Sequence, residues 1–416
     1  YYIYLDNYFH FCQKKFMNPA TILICICSYF LILFVISFLT GKNDSNSTFF
    51  LGNRNSPWFV IAYGMIGTTL SGITFISVPG WVASSQFSYM QMVFGFFVGY
   101  LIISRILLPL YYKLEITSIY TYLNQRFGLR SYKTGSSFFL LSRTIGASFR
   151  LYLIASVLQF AIFDAWNIPF AFTVFVTIAL IWTYTYRSGI KTIIWTDALQ
   201  TTFMLSTVFI IAFILMKNLD LDALSLFHVL KDSDYSQVFF FDDWTDKKYF
   251  FKQFFSGVFM AIVMTGLDQD QMQKNLSCKN LKDAQKNMFT FSGILIFVDL
   301  LFLSLGALLY IYSNKFGISI PQNPDMLFPN IAINGGLPPF VGILFIIGII
   351  AAAYSSADSA LTSLTTSFCV DIIEFEKQQA DKQIKTRKNV HLLMSCILFI
   401  VIMIFNAIND DSVIKS

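Results

Sequence analysis

A run of hydroxyl side chains inside an apolar segment is the feature of this sequence with the clearest capacity for chemistry. The segment reads Ala351-Ala-Ala-Tyr-Ser-Ser-Ala-Asp-Ser-Ala-Leu-Thr-Ser-Leu-Thr-Thr-Ser367. At about 100° per helical residue, one face carries Ala352, Ser355, Ser356, Ser359, Thr362, Ser363 and Thr366. Asp358 lies at the edge of that face. This column of oxygens predicts a cation path, whereas the alternative is that each hydroxyl bonds back to a carbonyl of its own helix.

A second polar cluster lies in the middle of the apolar segment 58–80. Its small and hydroxyl residues are Gly67, Thr68, Thr69, Ser71, Gly72 and Thr74. Such residues weaken a helix, and a break inside a membrane frees backbone carbonyls, which is tolerated only beside a cavity. The cluster therefore predicts either a broken helix whose carbonyls bind an alkali cation or a tightly packed interface of small residues. Composition alone leaves both open.

Charged residues also fall within or beside apolar segments, where ionisable side chains usually pair or serve a function. Asp197 opens the sixth apolar segment, and Asp299 lies near the middle of the eighth. Arg143 and Arg150 are seven residues apart and therefore share one helix face. The two arginines would hold an anionic solute, or they would pair with Asp299 or Asp358. Asp197 and Asp299 would otherwise each be an interfacial cap or pair with a basic residue.

The elements that must position these residues are membrane spans. The chain has 416 residues, of which 56% are hydrophobic and 13% charged, and its mean hydropathy is +0.61. Soluble domains carry about 25% charged residues, so a soluble enzyme, a disordered protein and a nucleic-acid binder are all excluded. The sequence contains no metalloprotease, phosphate-loop or dinucleotide motif. Without an ATP site, uphill transport by this chain would draw on an ion gradient.

Ten apolar segments approach the length of about 20 residues that a bilayer requires. They are 19–40, 58–80, 90–112, 135–162, 168–186, 194–216, 254–268, 288–313, 338–368 and 389–409. The seventh is short, and we expect it to begin earlier, in the stretch KKYFFKQFF. One set of connecting loops holds 17 Lys and Arg residues, Lys274 among them, against 9 in the other set. The first set is predicted to be cytoplasmic, with both termini outside.

Several local sequences resemble the sodium/solute symporter family, which includes sodium-coupled transporters of sugars, proline, pantothenate and sialic acid. The matching stretches are FFLGNRNSPWFVIAYGMIGTTLSGITFISVPG (49–80), ITSIYTYLNQRFG (116–128), YRSGIKTIIWTDALQ (186–200), GLDQDQMQKNLSCKNLKDAQK (266–286), PDMLFP (324–329) and IAAAYSSADSALTSLTTSFCVDI (350–372). They occur in the family's order, and the resemblance extends over residues 17–409.

The resemblance implies an all-α polytopic membrane protein with a LeuT-like core of two inverted five-helix repeats. Segment 19–40 would be an extra helix before the core, and 58–80 through 194–216 would form the first repeat. The sequence ends at Ser416, so about ten transmembrane helices are present and the last core helix is expected to be missing. Residues 1–16, before Met17, are expected to be upstream translation or an extracellular tail, and 17–416 the transmembrane domain, incomplete at its C-terminus.

The resemblance also implies a principal sodium site between the first and eighth core helices. Carried over by position, its ligands are the carbonyls of Gly67, Leu70 and Ala352 and the hydroxyls of Ser355 and Ser356. A second sodium site would use Asp197 and Ser359, with Asp358 adding a carboxylate where relatives have hydroxyls. That difference leaves the ion and the stoichiometry of the second site open.

The solute residues implied by the resemblance are polar groups of the second and later spans. They are Thr69, Ser71 and Thr74, with Gln91 and either Arg143 or Arg150 as partners for a carboxylate. The predicted function is sodium-coupled import of a small polar solute, such as a sugar, sialic acid or another carboxylate. The coupling ion is Na⁺, and the expected location is the plasma membrane, here a bacterial inner membrane. The alternatives are a transporter-derived sensor and a truncated, non-functional fragment.

Overall fold

The computed structural model describes residues 19–41 and 45–414. Apart from a single bridge between Ser56 and Cys278, regular structure in this part of the chain is helical. The α-helices are α1 (Pro19–Thr40), α2 (Asn46–Leu51), α3 (Trp58–Thr69), α4 (Gly72–Ser85), α5 (Tyr89–Ile102), α6 (Leu108–Lys113), α7 (Thr121–Phe127), α8 (Leu129–Leu158), α9 (Phe170–Thr185), α10 (Ile190–Asn218), α11 (Ala223–Asp232), α12 (Phe250–Ala261), α13 (Gln269–Leu276), α14 (Leu281–Phe316), α15 (Leu327–Asn334), α16 (Pro339–Ser367) and α17 (Ala380–Ile414). The expectation for residues 1–16 lies outside the described residues.

Each of the ten apolar segments coincides with a helix or a pair of helices. Among the described residues, seven helices are long and apolar enough to cross a membrane, and two bent pairs pass the same test together. The remaining segment is α9, a shorter apolar helix of 16 residues. The seventh span begins at Phe250, inside KKYFFKQFF, which confirms the expected early start.

Two of the spans are broken, and they hold equivalent places in the chain. Helices α3 and α4 meet at a bend of 61°, and α12, extended by a π-helical turn over Ile262–Gly266, meets α13 at 67°. The first pair opens the first predicted repeat, and the second pair opens the second. Broken helices at corresponding positions of two halves are typical of transporters built from inverted repeats. The all-α, LeuT-like fold class is confirmed.

Helix α16 lies at the centre of the bundle. Its residues from Ile349 to Ser367 are all buried, and it packs against α10, α8 and α3. Helix α10 in turn packs along both α16 and α3, while α14 packs against α3, α4 and α5. The hydroxyl face of α16 and the polar cluster after α3, which are about 290 residues apart in sequence, therefore lie together.

Helices α5 and α12 cross at glycines. A Cβ atom added at Gly95 would overlap the carbonyl oxygen of Phe254 and lie 3.0 Å from Cα of Gly257. A Cβ atom at Gly257 would overlap the carbonyl oxygen of Met92. The two backbones touch, as small residues allow at membrane helix crossings. This contact holds α12, the first half of the second broken span, against the first repeat.

Candidate cation and solute site

The first break lies at Leu70 and Ser71, between α3 and α4. Leu70 has φ −83° and ψ 81°, and Ser71 has φ −63° and ψ 167°, so neither residue is helical. The amide of Ser71 donates to the carbonyl of Thr69 (3.1 Å) rather than to that of Gly67, which an unbroken helix would use. The carbonyl of Gly67 therefore leaves the helical ladder, as the broken-helix interpretation predicts.

The same segment packs closely on α10 through its glycines. A Cβ atom at Gly64 would lie 2.9 Å from Cβ of Asp197, and one at Gly67 would overlap Oγ1 of Thr201. The amide of Gly67 donates to that hydroxyl at 3.1 Å. Both interpretations of the segment therefore hold, since the helix is broken and its glycines also bring it against a neighbouring helix.

Two hydroxyls of α16 face the end of α3. Ser356 Oγ donates to the carbonyl oxygen of Thr68 (3.2 Å), and Ser355 Oγ lies 3.1 Å from Oγ1 of Thr68. Ser355 Oγ also donates to Oδ1 of Asp197 on α10 (2.6 Å). Ala352 lies one turn earlier on α16 and is buried. Three helices therefore converge at one buried point.

The predicted sodium ligands lie on two of these helices. Gly67 and Leu70 stand at the break after α3, and Ala352, Ser355 and Ser356 lie on consecutive turns of α16; all five are buried. Carbonyls of an unwound membrane helix are oxygen ligands that membrane transporters use for sodium. The arrangement fits a sodium ion held by neutral oxygens from both helices.

Lys274 reaches the same point from α13 and is the basic partner of Asp197, which the sequence did not identify. Its Nζ donates to Asp197 Oδ2 (2.6 Å) and to Thr68 Oγ1 (2.5 Å), and the lysine and aspartate side chains are 2% and 1% exposed. The placement of Lys274 in a cytoplasmic loop is wrong, because the hydrophilic stretch that contains it folds as the second half of a broken span. The sequence does contain one sign of a helix here, an aspartate at the N-cap position. Asp268 accepts a hydrogen bond from the amide of Gln271 (3.2 Å) and so caps α13.

Asp358 and Ser359 lie farther along α16 and have no hydrogen bond to Asp197. Asp358 Oδ2 accepts from the Tyr184 hydroxyl (2.9 Å) on α9. Its Oδ1, and the hydroxyls of Ser359 and Thr362, are buried without a hydrogen-bond partner in the described part of the chain. Bonding of each hydroxyl back to its own helix therefore does not account for these two, and no described arginine pairs with the carboxylate.

Three of the predicted solute residues lie at the first break. The Thr69 hydroxyl is buried and has no hydrogen-bond partner among the described residues. The hydroxyls of Ser71 and Thr74 are 3.4 Å apart. The trio therefore presents hydroxyls close to the carbonyls of the predicted sodium site.

Gln91 forms hydrogen bonds to backbone groups away from the break. Its Nε2 donates to the carbonyls of Ser88 (3.3 Å) and Lys248 (2.8 Å), and its Oε1 accepts from the amide of Phe240 (3.2 Å). The residue is fully buried. Its amide thus attaches the segment before α12 to α5, and it has no free donor or acceptor directed at the break.

The two arginines of α8 differ in their partners. Arg143 pairs with Asp268 and with Asp270, the latter at 3.4 Å. Its predicted pairing with Asp299 is wrong, because the acidic residues before and within α13 lie nearer. Arg150 has no salt bridge within the described residues. Asp299 is buried, and neither carboxylate oxygen has a hydrogen-bond partner among them.

Helix α13 is a buried polar helix on the side that the sequence predicts to be cytoplasmic. All of its residues, Gln269–Leu276, are buried although six of the eight are polar. Oε1 of Gln269 accepts from the amide of Ile119 (2.9 Å), and Nε2 of Gln273 donates to Oγ1 of Thr366 on α16 (2.8 Å). These bonds attach α13 to the segment before α7 and to the hydroxyl face of α16.

A charged cluster lies at the same end of the molecule. Lys133 Nζ donates to Glu374 (2.6 Å), and Lys377 donates to the same carboxylate. The hydrogen bonds from these ammonium groups, Lys133 foremost, lower the pKa of Glu374 from 4.5 to about 2. Because the folded pKa is depressed, the contribution of this cluster to stability is complete above about pH 4.5 and is lost as the pH falls through 2. It is insensitive to pH in the physiological range.

Comparison with known proteins gives consistent matches. The model of the sodium:solute symporter family matches residues 49–415. The sodium/sialic acid symporter NanT of Aliivibrio fischeri is 27% identical over 370 residues, which is 86% of this chain and 70% of NanT. The sodium/sialic acid symporter SiaT of Proteus mirabilis is 26% identical, over 82% of this chain and 68% of SiaT. Sodium-coupled monocarboxylate transporter 1 of Xenopus laevis is 24% identical over 81% of this chain and 54% of its own length.

Two solved structures share the fold. A Na⁺-coupled sialic acid symporter, in a substrate-bound outward-open state, matches with a TM-score of 0.82 and 22% identity, over 94% of this chain and 83% of that one. Mhp1, a nucleobase-cation-symport-1 family transporter in a closed conformation, matches with a TM-score of 0.55 and 16% identity, over 87% of this chain and 77% of that one. At these identities the likeness shows the fold.

Proposed function

The chain is a member of the sodium:solute symporter family, and from that premise we propose that it couples sodium entry to the import of a small polar solute. The observation that carries the proposal is the meeting of the break after α3 with Ser355 and Ser356 of α16. The relatives that match are transporters, which favours transport over a sensor or a non-functional fragment.

In the proposed cycle, sodium binds among the carbonyls of Gly67, Leu70 and Ala352 and the hydroxyls of Ser355 and Ser356. An ion held by both helices favours the state in which α3 and α16 are in contact. The solute then binds at the break and the outer path closes. Release to the cytoplasm requires α13 to move away. Each sodium ion that crosses about 100 mV supplies about 2.3 kcal/mol before its concentration difference is counted.

A second cation position is proposed at Asp197, Asp358 and Ser359. The unpartnered Oδ1 of Asp358 and the unpartnered hydroxyl of Ser359 support it. A carboxylate buried among helices is unfavourable without a counter-charge. Two carboxylates on neighbouring helices, α10 and α16, therefore call for at least one positive charge, which Lys274 supplies to Asp197 in this structure.

For the solute we propose an anion, either a sugar acid such as sialic acid or another carboxylate. The hydroxyls of Thr69, Ser71 and Thr74 would bind its polar groups. Arg150 is the better partner for a carboxylate than Arg143, because Arg143 is already neutralised by two aspartates. Gln91 would bind the solute only if its hydrogen bonds to the segment before α12 were replaced by bonds to the solute.

Substitution of Arg150 tests this assignment. We expect Arg150→Gln to raise the KM for an anionic solute by about 10- to 100-fold, because a charge-assisted contact is lost, with the sodium dependence unchanged. Arg143→Gln is the contrasting variant, and it should lower the yield of folded protein because it leaves buried carboxylates unpaired. Uptake kinetics at saturating sodium and the monodisperse yield are the measurements. An unchanged KM in Arg150→Gln would remove this residue from the solute site.

We propose a plasma membrane location, a bacterial inner membrane, with both termini outside. Lys274 belongs to the interior, and removing it from the count leaves 16 basic residues in one set of loops against 9 in the opposite set, which includes the termini. The excess of positive charge still favours the same orientation.

Transport itself is tested in proteoliposomes. Radiolabelled sialic acid and lactate are offered with an inward sodium gradient, with potassium replacing sodium as the control, and with the gradient collapsed by an ionophore. We expect sodium-dependent accumulation of one of the two. Equal accumulation in sodium and potassium would contradict sodium coupling.

A further inference from the structure

We propose that the ammonium group of Lys274 is a tethered cation. It binds the carboxylate of Asp197 in place of a second sodium ion and leaves that carboxylate only when α13 moves. The inference rests on the proposed function, because it names the occupant of the second cation position of the same site. It makes the chain a carrier of one sodium ion per cycle.

The geometry puts the ammonium where a second ion would bind. Lys274 Nζ lies 2.6 Å from Asp197 Oδ2 and 2.5 Å from Oγ1 of Thr68. The other carboxylate oxygen accepts from Ser355, whose hydroxyl is also a predicted ligand of the principal ion. Oδ2 also accepts from the Thr68 hydroxyl (3.2 Å), so both carboxylate oxygens of Asp197 have partners without a metal ion.

Charge makes the two occupants mutually exclusive. A sodium ion in contact with Asp197 would lie within a few ångströms of the ammonium, in a region where both side chains are at most 2% exposed. Like charges at that separation repel strongly when water is excluded. Lysine differs from a free ion in one respect, because its charge is attached to α13 and cannot cross the membrane.

The attachment links the ion site to the inner gate. Lys274 is part of α13, whose residues are all buried. In the proposed cycle this helix moves when the cytoplasmic side opens. When it withdraws, Asp197 is left as a buried charge without a partner, which is strongly unfavourable. Sodium at Ser355, one hydrogen bond away, then has a carboxylate to move to on its way out. Lysine and sodium would thus alternate at one carboxylate.

The test counts bound sodium on the purified full chain. Binding of ²²Na⁺ is measured at constant ionic strength with choline as the replacement cation, for the wild type, Lys274→Met, Lys274→Arg and the double variant Asp197→Asn/Lys274→Met. Lys282→Met is the matched control, since Lys282 is exposed at the start of α14. We expect a twofold rise in sodium bound per chain in Lys274→Met alone, with the Hill coefficient rising from about one toward two.

Each outcome decides between the ideas. The tethered-cation proposal is overturned if the Lys274→Met protein binds as much sodium as the wild type. It is also overturned if the increase in bound sodium persists in the double variant. If Lys274→Met does not fold, Lys274→Gln decides, because its amide can still donate to Asp197 but carries no charge, and wild-type sodium binding in that variant contradicts the proposal. A wild type that binds no sodium would instead contradict the proposed function.

Discussion

Replacing Ser356 with alanine is expected to raise the sodium concentration for half-maximal uptake by about 10- to 100-fold, which corresponds to about 1.4–2.8 kcal/mol. The substitution removes one of the two side-chain oxygens proposed for the principal ion, together with the hydrogen bond to the carbonyl of Thr68 (3.2 Å). The helix itself should persist, since alanine is the strongest helix former. Uptake measured over a range of sodium concentrations, in proteoliposomes that contain equal amounts of protein, gives the result.

Ser363→Ala is the matched control for this prediction. Ser363 lies two turns farther along α16 and is equally buried, but its hydroxyl donates to the carbonyl of Ala360 in its own helix (3.0 Å). Its removal should leave sodium activation as in the wild type. Identical sodium curves for Ser356→Ala and Ser363→Ala would count against the assignment of the ion to α16.

The second large effect is expected on stability, from Gly95→Ala. A methyl group at this position overlaps the carbonyl oxygen of Phe254, so α5 and α12 must separate. Overpacking of this kind typically costs about 1–3 kcal/mol. The free energy of unfolding should fall by that amount, and thermal unfolding of the purified protein in detergent would report it as a lower midpoint.

Gly293 provides the comparison for the same substitution in open space. It lies within α14, and a Cβ atom there would have nothing within 4 Å. Gly293→Ala should therefore raise stability slightly, because alanine is favoured over glycine in a helix by roughly 0.5–1 kcal/mol. A midpoint that falls equally in both variants would show that the crossing of α5 and α12 does not limit stability.

Much of the fold follows from apolar length and from the clustering of small polar residues. Among the described residues, the seven long apolar helices, the two bent pairs and α9 are all visible as apolar segments, because a membrane helix must satisfy its backbone internally and cover it with apolar side chains. The break after α3 is also visible, as a concentration of glycine and hydroxyl residues from Gly67 to Thr74. What composition could not decide was whether these residues break the helix or pack it, and the structure shows that they do both.

The charged partners of the site were not predictable in the same way. Lys274 and Asp270 belong to a stretch whose composition is that of a loop, and hydropathy assigns such a stretch to water. Burial of a polar half-helix depends on partners from other elements, here Asp197 on α10 and Arg143 on α8. A pattern within one segment carries no information on those partners. For the same reason the sequence alone does not distinguish Arg143, which pairs with Asp268 and Asp270, from Arg150 as a solute ligand.

The polar character of α13 has a consequence for the temperature dependence of transport. When this helix moves, its side chains exchange hydrogen bonds within the protein for hydrogen bonds to water, and each exchange changes the free energy by only about 0.5–1.5 kcal/mol. Because six of the eight side chains of α13 are polar, the proposed movement would hydrate mainly polar groups and carry a small heat-capacity change. Where opening of the inner side limits the rate, an Arrhenius plot of transport should therefore be nearly straight, unlike the curved plots of steps that expose an apolar core.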